Sequence, residues 1–285
     1  MPPKPAHPAI APIAPTAPIK PIISDTPSSG VRVPACSLEG APPVPAVVEI
    51  RMAPPRAPGF AAASAAATAT AVVAPAPRVR RIALAIDADG SPRAYHPAPH
   101  ARRGLDRLAN AGRPGRWWGV VTDTGRADGR PVVQGPADAA PGFHVSCTAL
   151  ADLRFARTDP RRYVDSGAVP YVALSLAAAR ADGLRLGDVG FAMETPGGRS
   201  SPVILADIAP AGSDGEGSIA LARALGIDPD PRTGGTASRR VSLVMFPGSG
   251  DGRPMEPARL ERLARRRLAE WGGAERLMAE AGRIR

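Results

Sequence analysis

With 285 residues, the chain has room for two domains, or for one domain and a long arm. Its formal charge of +10 is unevenly spread: residues 1–80 carry 7 basic and 3 acidic side chains, 81–251 carry 20 and 18, and 252–285 carry 9 and 5. A nearly balanced middle between two basic ends lacks the one-sided footprint of a dedicated nucleic-acid binder. No window of about 18 apolar residues offers a membrane span either.

Eighteen of the 35 prolines lie within residues 1–77, in runs such as MPPKPAHPAIAPIAPTAPIKPII and SAAATATAVVAPAP. This stretch has almost no aromatic residues and no period of 2 or 3.6. It cannot bury enough apolar surface to offset its chain entropy, so residues 1–78 read as a disordered Pro/Ala-rich arm. Prolines interrupt every apolar run near the N-terminus, and no secretory signal is read there. The two cysteines, Cys36 in the arm and Cys147 in a β-like segment, lack metal-ligand spacing. They read as a free thiol and a small buried apolar residue.

Residues 79–252 form the expected folded domain. RIALAIDADG (81–90) reads as a short buried strand ending in an Asp-rich turn, and ARRGLDRLANAG (101–112) as a short helix stopped by Gly112. WWGVVTD, PVVQ, GFHVSCTAL and VPYVALS combine β-branched and aromatic residues between Pro and Gly punctuation, the pattern of strands. GDVGFAMETPGGRSSPVILAD predicts a hairpin with its tip at Gly197 and Gly198, its second strand ending on Asp207. GEGSIALARALG predicts a helix with Glu216 at its start and Gly226 as its stop, and RRVSLVMFPGSG a last central strand. Residues 253–285 predict a basic amphipathic C-terminal helix with Leu260, Leu263 and Trp271 in its stripe, broken at Gly272 and Gly273. Many short strands and few helices make the class mainly β, a small closed or partly closed β-barrel-like domain in which closure removes exposed strand edges.

Two carboxylates stand out. Asp207 ends an apolar strand, where a side chain can point into a cleft, and Glu216 follows after eight residues rich in Gly, Pro and Ala. That loop is long enough to set the two on opposite walls of a groove, as glycoside hydrolysis requires of its acid and base. The same residues also suit an ordinary strand end and a helix start that complements the dipole. Helix proximity would favour Glu216 as base and apolar surroundings Asp207 as acid, and a different loop pose would reverse the two, so the sequence leaves both assignments open. Asp87 and Asp89 in DADG suit either an Asx-rich turn or contacts to substrate amino groups. Trp117, Trp118 and Tyr95 are candidates to stack on sugar faces. DADG is too short for a calcium loop, and His96, His100 and His144 lack metal spacing. No nucleophile elbow or phosphate loop occurs.

The run ADIAPAGSDGEGSIALARALGI, with DADGSPRAYHP before it and VSLVMFPGSG after it, resembles the chitosanases of glycoside hydrolase family 75. WWGVVTD, VVQGPADAAPGFHVSCTAL and DPRRYVDSGAVPYVAL also resemble that family's blocks, in order, over residues 82–250. In that family the two carboxylates of an A-D-x(8)-E-x-S-like arrangement are catalytic. The resemblance therefore implies an inverting endo-hydrolase of β-1,4 linkages in chitosan that needs no metal or organic cofactor. Asp207 and Glu216 would be its catalytic pair, with Asp87, Asp89, Tyr95 and Trp118 contacting substrate. The implied partner is a polysaccharide met by a monomer, in a family whose members are secreted. A glycosidase for another amino-sugar polymer such as peptidoglycan, and a non-catalytic glycan- or nucleic-acid-binding protein, are the alternatives.

Overall fold

The computed structural model describes residues 75–98, 103–195 and 197–284; the arm expected over residues 1–78 lies almost wholly outside them. Among the described residues are strands β1 (Val79–Ile82), β2 (Ala85–Asp87), β3 (Gly112–Arg113), β4 (Arg116–Trp117), β5 (Tyr171–Ser175), β6 (Val189–Glu194), β7 (Ser200–Ala209), β8 (Glu216–Ser218) and β9 (Val241–Met245). The α-helices are α1 (Leu176–Ala181), α2 (Ile219–Leu225), α3 (Pro257–Trp271) and α4 (Gly273–Arg283). Seven strands make one sheet in the order β1-β9-β6-β7-β5-β8-β2, and β3 and β4 pair separately. The protein is mostly sheet.

RIALAIDADG does not run as one strand. It divides into β1 and β2, which occupy opposite edges of the same sheet with only Ala83 and Leu84 between them. Six spacings of about 4.8 Å would hold the edges of a flat sheet about 29 Å apart. The chain from Ile82 to Ala85 reaches only about 11 Å. The sheet must therefore curl, and it forms a half-barrel whose two edges the chain itself connects.

Alternation along the strands builds two cores. Val172, Leu174, Val203, Leu205, Val241 and Leu243 share one face with Leu84 and Ile86, and α2 adds Leu221 and Leu225. Tyr171, Phe191, Ile204 and Val244 take the opposite face, against Leu260, Ala264 and Leu268 of α3 and Leu277 of α4. Helix α2 starts at its N-cap Ser218, whose hydroxyl accepts from the Leu221 N–H at 3.0 Å. It ends at Gly226, which adopts the left-handed conformation, φ 70°, that a terminating residue needs. The β6–β7 hairpin closes with the Gly198 N–H donating to the Glu194 carbonyl and the Glu194 N–H to that of Arg199, both at 2.8 Å.

Two expectations need correction. Within 101–112 the described residues contain one 3-10 turn, Leu108–Ala111, rather than a helix. The backbone just before it is spent on tertiary bonds: the Leu105 and Asp106 N–H groups donate to the Arg93 and Ala94 carbonyls, and Arg232 binds the carbonyls of Gly104, Leu105 and Asp106. The segments WWGVVTD, PVVQ and GFHVSCTAL supply only β4 and the isolated bridges Val120–Ser146, Thr122–Pro131 and Val133–His144. Side chains complete that irregular layer, Gln134 donating to the Pro92 and His144 carbonyls and Arg157 to those of Thr122 and Asp123. Cys147 is fully buried, as expected, and it is disulfide-bonded, which the lack of a disulfide framework in the sequence did not suggest.

Leu260 and Leu277 are completely buried, so α3 and α4 belong to the same folding unit as the sheet. Leu260→Ala removes a packed side chain and leaves a cavity. It is expected to lower stability by about 2–5 kcal/mol, read from urea unfolding of the whole chain; a loss below about 0.5 kcal/mol, the range of neutral surface changes, would show that α3 is dispensable.

Candidate active site

Strand β7 runs on to Ala209, so Asp207 lies inside it rather than at its end. In regular alternation Asp207 would follow Val203 and Leu205 onto the apolar face beneath α2. It does not, because the register between β5 and β7 slips: Val172 faces Leu205, while Ala173 faces Asp207. Ala206 is the extra residue of a β-bulge, a device that re-aims the side chain after it. The bulge is held from outside the sheet, where the Leu150 N–H donates to the Ala206 carbonyl at 2.8 Å. Asp207 is thereby carried to the face that Ala173 and Tyr171 occupy.

Glu216 arrives on the same face by another route. It opens strand β8 and is not part of the helix it was expected to start; α2 begins three residues later. It stands in register with Ala173 on one side and Ala85 on the other. Asp207, Ala173, Glu216 and Ala85 thus form one row across four strands, with only the Ala173 methyl between the two carboxylates. Gly215 and Gly217 flank Glu216 for a steric reason. A Cβ on Gly217 would lie 2.7 Å from Leu84 Cδ1 and 2.9 Å from Leu221 Cδ2, so close packing beneath β8 leaves room for no side chain there.

Asp87 ends β2 two residues beyond Ala85, and on the same face, with Asp89 in the turn that follows. One oxygen from each of Asp87, Asp89 and Asp207 falls within a 4.8 Å set. Each carboxylate is anchored by its own donors. Asp87 Oδ1 accepts from the Asp89 N–H at 2.8 Å, and Asp89 Oδ1 accepts from the Tyr95 hydroxyl at 2.6 Å. Asp207 Oδ1 accepts from the N–H groups of Ile208 at 2.7 Å and Ala149 at 3.1 Å. The Ser146 hydroxyl, which accepts from the Gly90 N–H, lies 3.3 Å from Asp89 Oδ1.

Burial and mutual repulsion keep protons on this cluster. Desolvation lifts Asp87 to about 6 against the bonds it accepts. Burial, then the charge of Asp87, pushes Asp207 well above the usual carboxylate range, and Glu216 adds to the push. Asp89 is raised in the same direction by burial, Asp87 and Asp207. Among the described residues only this trio offers three metal-type ligand atoms in one place. Each of the three already accepts a protein N–H or O–H bond through its Oδ1.

The remaining expected residues divide. Tyr95 is 2% exposed, so its ring has no open face for a sugar; its hydroxyl instead fixes Asp89. Trp117 is buried in the core. Trp118 is half-buried, with its indole N–H donating to the Asn110 carbonyl at 2.7 Å. His144 is buried and His96 sits edge-on to Phe143 at 4.9 Å, while His100 lies outside the described residues. Asp214, in the same loop as Glu216, is spent on a two-pronged ion pair with Arg239. Sequence reasoning did not single out Ala149, Ala173 or Ala206. Alanine carries no chemical signal, and their roles come from register and backbone. Comparison with protein-family models and with curated proteins found no match to this sequence.

The Asp87 shift has a stability consequence. Its folded-state value near 6 stands above the unfolded value of about 3.9, so the folded protein binds more protons between the two. The stability this contributes is complete below about pH 4 and is lost as pH rises through about 6. Asp87→Asn is therefore expected to stabilise the protein by about 1–3 kcal/mol at about pH 7.5 and to change little at about pH 3.5. Denaturant unfolding at the two pH values checks this, and equal effects at both would show that the Asp87 proton is not linked to folding.

Proposed function

We propose that the chain is a glycoside hydrolase that cleaves β-1,4 linkages in chitosan, or in a related amino-sugar polymer, with inversion at the anomeric carbon. The single observation that carries this reading is the row Asp207–Ala173–Glu216, with two carboxylates on one face and a single methyl between them. Two strand spacings separate the backbones by about 9.6 Å. Side chains rising side by side from such a row keep a comparable separation. Inverting glycosidases place their carboxyls about 6.5–9.5 Å apart to admit a water beside the sugar. The trio of Asp87, Asp89 and Asp207 is tighter than that, which selects Glu216 as the partner of Asp207.

The environments assign the roles. Asp207 is 3% exposed and holds its proton by burial beside Asp87, so it is the general acid that protonates the leaving glycosidic oxygen. Glu216 is half-buried, nearer to solvent, and acts as the base that draws a proton from the attacking water. Proton and electron pair then balance: the water oxygen bonds the anomeric carbon, the glycosidic bond breaks toward its oxygen, and that oxygen leaves with the Asp207 proton. A concentration of acidic groups also suits a polymer that bears ammonium groups, because negative potential in a cleft raises the local level of a cationic substrate. The resemblance of residues 82–250 to family 75 chitosanases points the same way. The disulfide at Cys147 suits an oxidising compartment, where such polymers are met.

Asp207→Asn and Glu216→Gln are each expected to lower kcat on chitosan by about 10²-fold or more, with the double variant little worse than the poorer single one. Asp214→Asn, the charge control in the same loop, is expected to remain close to wild type. Chitin and peptidoglycan assayed beside chitosan identify the polymer. Proton NMR of the first product is expected to show the inverted anomer. Near-wild-type turnover by either folded single variant would remove the pair from catalysis, and a retained anomer would move the chemistry to the tighter trio.

A further inference from the structure

The DADG turn brings two carboxylates to the site that the acid and base leave without a task. Asp87 and Asp89 each place an oxygen within the 4.8 Å set that includes Asp207, and among the described residues none of the three forms an ion pair with a basic side chain. We propose that Asp87 is a positioning residue that acts through Asp207, its negative charge holding the Asp207 proton in place until the leaving oxygen takes it. This rests on the reading of Asp207 as the general acid.

Geometry supplies the reasons. Both N–H donors to Asp207, from Ile208 and Ala149, go to Oδ1, which leaves Oδ2 to carry the proton. The groups that face Asp207 are Asp87 from β2, Asp89 from the turn after it, Glu216 from β8 and the phenol of Tyr171 from β5; all are acidic or neutral. Asp106 adds to the negative field felt by Asp87. Among the described residues no basic side chain pairs with Asp87, Asp89 or Asp207, so protons offset the charge of these three. Asp87 ionises first, near 6, and its charge then opposes ionisation of Asp207 as pH rises further. Tyr95 and the Asp89 N–H keep the two turn carboxylates from swinging away, which gives the buried hydroxyl of Tyr95 a function that sugar stacking does not.

The test titrates Asp207 directly, by carbon NMR of protein labelled at the Asp carboxyl carbon, with the resonance assigned from Asp207→Asn. In Asp87→Asn the Asp207 midpoint is expected to fall by about one pH unit, the size that a close like charge produces. The alkaline limb of kcat/KM on chitosan is expected to fall with it. Asp87→Glu, which keeps the charge, should restore the midpoint, and the exposed Asp214→Asn should leave it in place. A folded Asp87→Asn, or a folded Asp87→Ser, that leaves the Asp207 midpoint unmoved would overturn the proposal. The NMR readout does not depend on turnover. A midpoint that falls in a protein that cleaves none of chitosan, chitin and peptidoglycan would support the coupling and defeat the glycosidase reading.

Discussion

Two residues, Ala83 and Leu84, impose the geometry on which everything else rests. They join β1 at one edge of the seven-stranded sheet to β2 at the other. A connection that short cannot cross a flat sheet. The resulting curl sets β2 against β8, so that the DADG turn meets Glu216, and Asp207 two strands further on. Had β2 continued along β1, as the uninterrupted run RIALAIDADG invites, Asp87 and Asp89 would lie far from the other two carboxylates. A constraint on chain length thus becomes a constraint on charge.

Charge in turn works against the fold. Asp87, Asp89 and Asp207, gathered with no basic partner among the described residues, are held together by packing and by donors aimed at single oxygens, as Tyr95 is at Asp89 and Ala149 at Asp207. Such an arrangement lowers stability at neutral pH relative to a neutral replacement. Burial and neighbouring negative charge tighten each carboxyl's hold on its proton, so the cluster keeps protons at pH values at which isolated carboxyls have lost them. The β-bulge at Ala206 is part of the same arrangement. It interrupts a regular strand and brings the Asp207 side chain to the face that carries Glu216.

The C-terminal helices and the irregular layer between β2 and β5 support this geometry without entering it. Helix α3 covers β6 and β7 with Leu260, Ala264 and Leu268 and so holds the strand that carries Asp207. The irregular layer supplies Ser146, Ala149 and Leu150, whose side chain or N–H groups fix the Asp89 turn, the Asp207 carboxylate and the bulge. Both elements show in the sequence as ordinary features, an amphipathic stripe and a set of short β-branched runs. Their effect on the site lies in where their backbone donors fall.

The sequence by itself determined the mainly-β class, the β6–β7 hairpin at Gly197 and Gly198, the stop of α2 at Gly226, and the choice of Asp207 and Glu216 as the carboxylates to follow. These are local matters of periodicity, turn chemistry and residue type, which a few neighbouring positions settle. Tertiary structure alone decided that RIALAIDADG divides between two sheet edges, that Glu216 stands in a strand, and that Tyr95 is a buried donor to Asp89. It alone decided that an alanine bulge turns Asp207 away from the apolar core. Apart from the Tyr95–Asp89 bond, these depend on backbone pairing between residues dozens of positions apart, such as Leu150 with Ala206 or Ala173 with Glu216. A backbone N–H or C=O is the same in every residue that can offer one, so its partner is chosen by the fold and leaves no mark in the order of side chains.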